Sequence, residues 1–315
     1  MLVLKLSGGL GNNLFQYASV SAVALRSNST FVHLPHRDAT FVRRVSRSIS
    51  TSFKHNKLPL KQTAKADITN FFVLKDDPFL NRAIKKVFFY ISNFIKPWQI
   101  FRPHMRSIES GDKFEVFDRS AFSLSCNTLC IGGYQSAAYF KGYEEEVHSW
   151  FQLKPRYKKK YDSIVESMSG SSELRCCIHV RAGDYLSQDK GIGRGEGIGW
   201  SLASNYYEMA LNQLSQVAGL QFFLMTDDLD FCYRHLPSLK HATPIQSGID
   251  AIDLKLMGEF KYLVVANSSF SWWGAWLNRI DGKVVIAPKF HLGREVNCWL
   301  PFAMENEFPK DWIYV

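Results

Sequence analysis

No C-x-x-C pair occurs among the six cysteines, at 126, 130, 176, 177, 232 and 298. Zinc ribbons and thioredoxin-type redox sites need that spacing, so neither is expected, and the thiols read as reduced and mostly buried. Long uncharged apolar runs are also missing. The most membrane-like stretch, Ala83 to Phe101, is broken by Lys85, Lys86 and Lys96 and falls short of the roughly 18 apolar residues a spanning helix needs. Its Phe88, Phe89, Phe94 and Trp98 beside those lysines suit core packing, with an interfacial helix as the alternative. Met1 runs straight into an apolar strand pattern without the regions of a secretory signal, so a cytoplasmic location is expected, peripheral to a membrane only if the aromatic-lysine stretch is interfacial. Repeats and low-complexity tracts are absent. With 46% apolar and 21% charged residues, the 315-residue chain has the composition of a folded protein of about two domains. Acidic residues are in short supply, 29 against 38 Lys+Arg, and the resulting +9 suits a phosphate-bearing partner, whether nucleotide, nucleic acid or anionic surface.

What is present is an α/β pattern. Leu2 to Arg26 reads as strand, glycine-rich loop and helix; periodicity is weak from about 37 to 125. The texture changes between Lys154 and Ser172, where the basic run Lys154-Pro155-Arg156-Tyr157-Lys158-Lys159-Lys160 precedes the turn-forming Ser169-Gly170-Ser171-Ser172. A domain boundary is placed there, giving 1–165 and 166–315. Downstream, strands at Cys176 to Arg181, Phe222 to Met225, Tyr262 to Ala266 and Val284 to Ala287 alternate with helical patterns. Those helices are capped by Ser204, begin near Asp253, and run from Phe270 to Asn278. Such alternation predicts a doubly wound parallel sheet.

Ligands of open parallel sheets bind beyond the carboxyl ends of the strands. Three polar clusters fall at such ends: His179-Val180-Arg181-Ala182-Gly183-Asp184, Thr226-Asp227-Asp228 and Asn267-Ser268-Ser269-Phe270-Ser271. A guanidinium plus a helix N-terminus suits a diphosphate. A salt-bridged turn explains the first cluster equally well, Asp228 reads foremost as a helix cap, and Trp272, Trp273 and Trp276 read as core. In Ser7-Gly8-Gly9-Leu10-Gly11-Asn12-Asn13-Leu14, a dinucleotide fold would need glycine at position 14 and an acidic residue closing the strand around Thr30 to Leu34; both are missing.

Gly8-Gly-Leu-Gly-Asn-Asn-Leu-Phe-Gln-Tyr17, His179-Val-Arg-Ala-Gly-Asp-Tyr185, Phe223-Leu-Met-Thr-Asp-Asp228 and Ala266-Asn-Ser-Ser-Phe-Ser-Trp-Trp-Gly-Ala-Trp276 together resemble the α-1,2-fucosyltransferases of glycosyltransferase family 11. The resemblance implies a GT-B architecture of two facing Rossmann-like domains, a GDP-fucose donor held chiefly by the C-terminal half, a galactoside acceptor, inversion at the anomeric carbon, and no required metal. It further implies that Arg181 neutralises the donor diphosphate, that Ser268, Ser269 and Ser271 with the backbone through Phe270 complete the phosphate site, and that His179 and Asp227 lie near the guanosine. Gly9, Gly11 and Asn12 would approach the fucosyl-diphosphate. Asp184 is the nearest motif carboxylate to an acceptor proton, with a structural link to Arg181 as its alternative; the base stays unassigned. Two positions depart from the family pattern: Ala182 stands where a second arginine is usual, and Asn13 where glutamine is.

Two other functions compete. Asp228-Leu229-Asp230 matches the D-x-D of metal-dependent GT-A glycosyltransferases. The basic run at 154 to 160 suits a nucleic-acid-binding module, or only a solvated linker. Acceptor contacts are expected from the N-terminal half and from Gly191 to Gly199, whose five glycines suggest a lid that orders on ligand binding.

Overall fold

A computed structural model describes residues 1–34, 68, 72–73, 99–103, 105–107, 113–115, 117–124, 127–186, 200–291, 294–295 and 309–315. The aromatic-lysine stretch as far as Trp98, the glycine-punctuated segment Gly191 to Gly199, Cys126 and Cys298 lie outside the described residues. Cys130, Cys176, Cys177 and Cys232 are free and buried, as expected. Among the described residues no helix is long and apolar enough to cross a membrane.

The chain divides into two compact units, Met1–Gln152 and Leu153–Val315. In the first, β1 (Leu2–Lys5) leads through the glycine loop into α1 (Leu10–Arg26). β1 pairs in parallel with β2 (Phe31–Leu34), and β3 (Gln99–Phe101) and β4 (Thr128–Cys130) complete a four-stranded sheet ordered β2-β1-β4-β3. Nearly every residue of α1 from Leu10 to Ala24 is buried, which its run of alanine, valine, serine and aromatic residues permits on all sides.

The second unit opens with α2 (Pro155–Ser167), the basic run now seen as the start of a helix with proline in its first turn. The expected boundary at 165/166 falls within the last turn of this helix, whereas the units divide before it. Lys160 Nζ donates to the Ser247 carbonyl (2.7 Å) and the Tyr161 hydroxyl bonds Glu259, tying α2 to the second unit.

Next come β5 (Arg175–Val180), α3 (Ser204–Gln213), β6 (Gln221–Thr226), α4 (Leu229–His235), β7 (Thr243–Pro244), α5 (Asp250–Leu256), β8 (Tyr262–Val264), α6 (Ser269–Trp276), β9 (Val284–Ala287) and β10 (Ile313–Tyr314). These strands form a six-stranded sheet ordered β7-β6-β5-β8-β9-β10, parallel at every pairing. Counted within the unit the order is 3-2-1-4-5-6, the doubly wound arrangement whose reversal point, here between β5 and β8, opens a crevice at the strands' carboxyl ends. Cys176, Ile178 and Val180 face a core shared with Tyr207, Ala210, Phe231 and Leu236 of the α3 and α4 side. On the opposite face Phe223 meets Phe260 edge-on, with ring centroids 5.4 Å apart, behind α5. Burial on both faces explains why β5 reads as an almost unbroken apolar run.

Several element limits differ from the expected ones. Ser204 does not cap α3: its hydroxyl donates to Glu208 Oε1 one turn on (2.7 Å), and Ala203 holds the cap position. That helix ends at Gln213 and buries Tyr206, Tyr207 and Ala210, with Leu214 behind them, while Ala218 is exposed. α5 starts three residues before Asp253, so that Asp250 and Asp253 both lie in its first turn, where the helix dipole favours negative charge. Trp272 and Trp273 are buried in the core, as expected, and Trp272 stacks on Trp276 at 5.9 Å.

Candidate functional site

The glycine loop of the first unit is clamped from below. Asn13, buried on α1, directs its side-chain amide at the carbonyls of Ser7 (3.0 Å), Gly8 (3.1 Å) and Gly9 (2.9 Å). Gln16 accepts from the Ser7 amide and donates to the Ser7 hydroxyl, both at 2.9 Å. The methylene by which Asn13 falls short of glutamine therefore concerns an inward clamp rather than outward reach. Gly8 has φ +77°, and a Cβ there would meet Asn12 Nδ2 at 2.6 Å. Gly9 has nothing within 4 Å of the corresponding position and is exposed. Gly11 is buried in the first turn of α1, and Asn12 Oδ1 accepts from Gln135 Nε2 (2.8 Å).

In the second unit the first of the three clusters singled out in the sequence touches both of the others at the carboxyl ends of the strands, through Arg181 to Asp227 and through His179 to Phe270. Arg181, just past the end of β5, directs Nη1 at Asp227 Oδ2 (2.7 Å) and Nη2 at Asp184 Oδ1 (2.5 Å). Asp227 also accepts the Ala182 amide through Oδ1 (2.9 Å). Both oxygens of Asp227, expected near guanosine, thus face Arg181 and the turn that follows it. The salt-bridged turn weighed from the sequence is present, and its arginine, just past the end of β5, stays about one-third exposed at 31%.

His179, on the other face of β5 from the α3 core, is buried and stacks on the Phe270 ring at 5.4 Å. Its Nδ1 has no hydrogen-bond partner among the described residues. Burial, and secondarily the Arg181 charge, push its pKa down to about 3, so the imidazole is neutral. Ala182 is fully buried within the apolar core, so an arginine in its place would have to force its side chain into that core.

Ser268 caps α6, its hydroxyl accepting from the Phe270 amide (3.3 Å). Ser269 opens the helix, whose first turn carries no acidic residue and so keeps its positive end. Ser271, expected at the phosphate, is turned inward: it is fully buried and donates to the carbonyls of Ala266 (3.0 Å) and Ser268 (3.2 Å). Asp228 caps α4 by accepting from the Phe231 amide (2.8 Å), so the first carboxylate of the D-x-D pattern serves that helix. No group of three or more metal-ligating side chains gathers among the described residues.

Tyr185 was not singled out by sequence reasoning. Its hydroxyl donates to the Asn267 carbonyl (3.3 Å), its ring lies 5.4 Å from the Arg181 guanidinium carbon, and burial raises its pKa to about 12. Asn267 in turn donates to the Trp200 carbonyl (2.9 Å). The only sequence signal for this brace was the place of Tyr185 at the end of the His179 motif.

A family model described as glycosyl transferase family 11 matches residues 96–315, well over half of the chain. The chain belongs to this family. The family 11 match includes both strands of the crevice, Arg181 and α6, and begins after the glycine loop. Over its whole length the chain is 26% identical to an alpha-1,2-colitosyltransferase of Escherichia coli, of which it covers 99%. It is 25% identical to the O-antigen biosynthesis glycosyltransferase WbnK of Escherichia coli, over 90% of this chain and 92% of that one. The crystal structure of fucosyltransferase NodZ from Bradyrhizobium is similar at a TM-score of 0.48 and 14% identity, over 89% of this chain and 96% of that chain. Family membership makes the chain a glycosyltransferase and weighs against a nucleic-acid-binding module.

Proposed function

We propose that this family 11 chain transfers L-fucose from GDP-fucose to the 2-hydroxyl of a galactoside, with inversion at the anomeric carbon. The observation that carries the reading is that Arg181 follows β5 and the N-terminus of α6 follows β8, the two neighbouring parallel strands at which the strand order reverses. As the glycosidic bond breaks, negative charge grows on the departing diphosphate. A guanidinium and a helix end already in place stabilise that charge more than they stabilise the bound ground state. The same groups supply the cationic character that a metal supplies elsewhere, so the reading includes GDP binding after dialysis against a chelator.

A colitosyl donor is the second reading, favoured by the full-length similarity to the colitosyltransferase. Turnover with the two donors in parallel separates them. The test of the shared site is Arg181→Ala, expected to lower kcat by about 10² to 10³ while the protein stays folded, with Arg181→Lys recovering little because an ammonium lacks the planar two-donor fork. A variant destabilised but fully active per folded molecule would sink the assignment.

A further inference from the structure

Arg181 is held by two carboxylates, and they are not equivalent. Asp227 has a 30% exposed side chain and is fixed at both oxygens, by the Ala182 amide and by Arg181 Nη1. It also fits against Gly183, which has φ +22°: a Cβ there would stand 2.5 Å from Asp227 Oδ2. Asp184 sits on the short helical turn Gly183–Leu186 with a 59% exposed side chain, three residues from Arg181. One guanidinium facing two carboxylates carries a local excess of negative charge, which opposes any incoming anion. A diphosphate that takes two parallel N–H groups must displace one carboxylate from Nη1 or Nη2.

We infer that Asp227 is a positioning residue that fixes the Arg181 fork, and that Asp184 is a built-in anion that the donor diphosphate displaces. The inference rests on the donor-site reading above and adds to it a division of labour between two acidic residues forty-three positions apart. The backbone amide and the space left by Gly183 make Asp227 the partner that stays. Exposure and a solvated alternative make Asp184 the partner that yields. Replacing Asp227 by asparagine keeps an acceptor for the Ala182 amide but sets an NH₂ group against Nη1, donor facing donor, so the fork loses its support. Replacing Asp184 by asparagine removes a competing charge and leaves the Asp227 contact in place.

The experiment is calorimetric GDP binding at low and high salt, with donor turnover, for Asp227→Asn, Gly183→Ala, Asp184→Asn and Arg181→Ala. Asp227→Asn and Gly183→Ala are expected to weaken GDP roughly ten- to a hundredfold and to lower kcat, at both salt concentrations. Asp184→Asn is expected to tighten GDP about two- to fivefold at low salt, with the gain fading at high salt. A purely structural role for Asp227 would lower the melting temperature and leave the affinity of the folded protein unchanged. If Asp227→Asn does not fold, Gly183→Ala carries the same arm, because its Cβ presses on the same carboxylate. Wild-type affinity in both, with Arg181→Ala still impaired, overturns the positioning role alone. Loss of affinity in Asp184→Asn overturns its displacement. Wild-type affinity in Arg181→Ala overturns the donor-site reading itself.

Discussion

At position 182 the family pattern and the packing disagree in an instructive way. Ala182 is fully buried in the core of the second unit while its amide serves Asp227. Restoring an arginine therefore buries a charge instead of adding one to the crevice. Ala182→Arg is expected to cost about 3 to 5 kcal/mol by denaturant unfolding and to give no gain in activity per folded molecule. His179 yields a second expectation. In the unfolded chain it takes up a proton as pH falls through about 6.5, whereas the buried ring stays neutral down to about 3. The unfolded state then holds the extra proton across that window, so stability is complete above pH 6.5 and declines below it, by at most about 1.4 kcal/mol per pH unit from this residue. His179→Phe keeps a ring against Phe270 and should flatten the decline between pH 6.5 and 5 in urea titrations; an unchanged slope would remove His179 as its source. Single residues were legible where chemistry is local: Asp228 as a cap follows from its own helix start, and Arg181 at a strand end follows from alternation. The contacts of Asp227 and Tyr185 were not, because their partners lie 45 and 82 residues away and no spacing rule links them.

Elements were legible to the degree that their burial is one-sided or continuous. The central strands of the second unit lay within a residue or two of their expected limits, since a strand covered on both faces is an apolar run with polar ends. Helix limits shifted where a side chain had two local options, as at Ser204, or where acidic residues extended the first turn, as before Asp253. The glycine loop was legible as a strand-to-helix turn, but its clamp was not, because Asn13 stands out in the sequence only as a departure from the family pattern and the inward direction of Asn13 and Gln16 shows only in their burial. Its two adjacent glycines should separate ligand contact from folding. Gly9 has φ −76° and open space around its missing side chain, so Gly9→Ala should change stability by less than about 0.5 kcal/mol. If the donor approaches this backbone, kcat/KM should still fall roughly ten- to a hundredfold. Gly8→Ala, at φ +77°, should cost about 1 to 2 kcal/mol of stability. Full activity in Gly9→Ala would place the donor away from the loop.

On the scale of the molecule, the two parallel sheets follow from the alternation of strand and helix patterns, which was clear downstream of Ser172 and faint between about 37 and 125. Hydrogen exchange with and without GDP tests the donor assignment at this scale. Added protection is expected at the carboxyl ends of β5 and β8 and in the first turn of α6, and equal exchange there in both states would count against it. The strand order also sets a timetable. β5 is made first and lies in the middle; β6 and β7 extend the sheet one way, and only then do β8, β9 and β10 extend it the other. During synthesis the sheet therefore grows outward from its centre, first to one side, and every parallel pairing must wait for an intervening crossover to emerge from the ribosome. The point where the strand order reverses has only β5 until β8 arrives, so a nascent chain stalled before Tyr262 would carry Arg181 and both of its carboxylates but not α6.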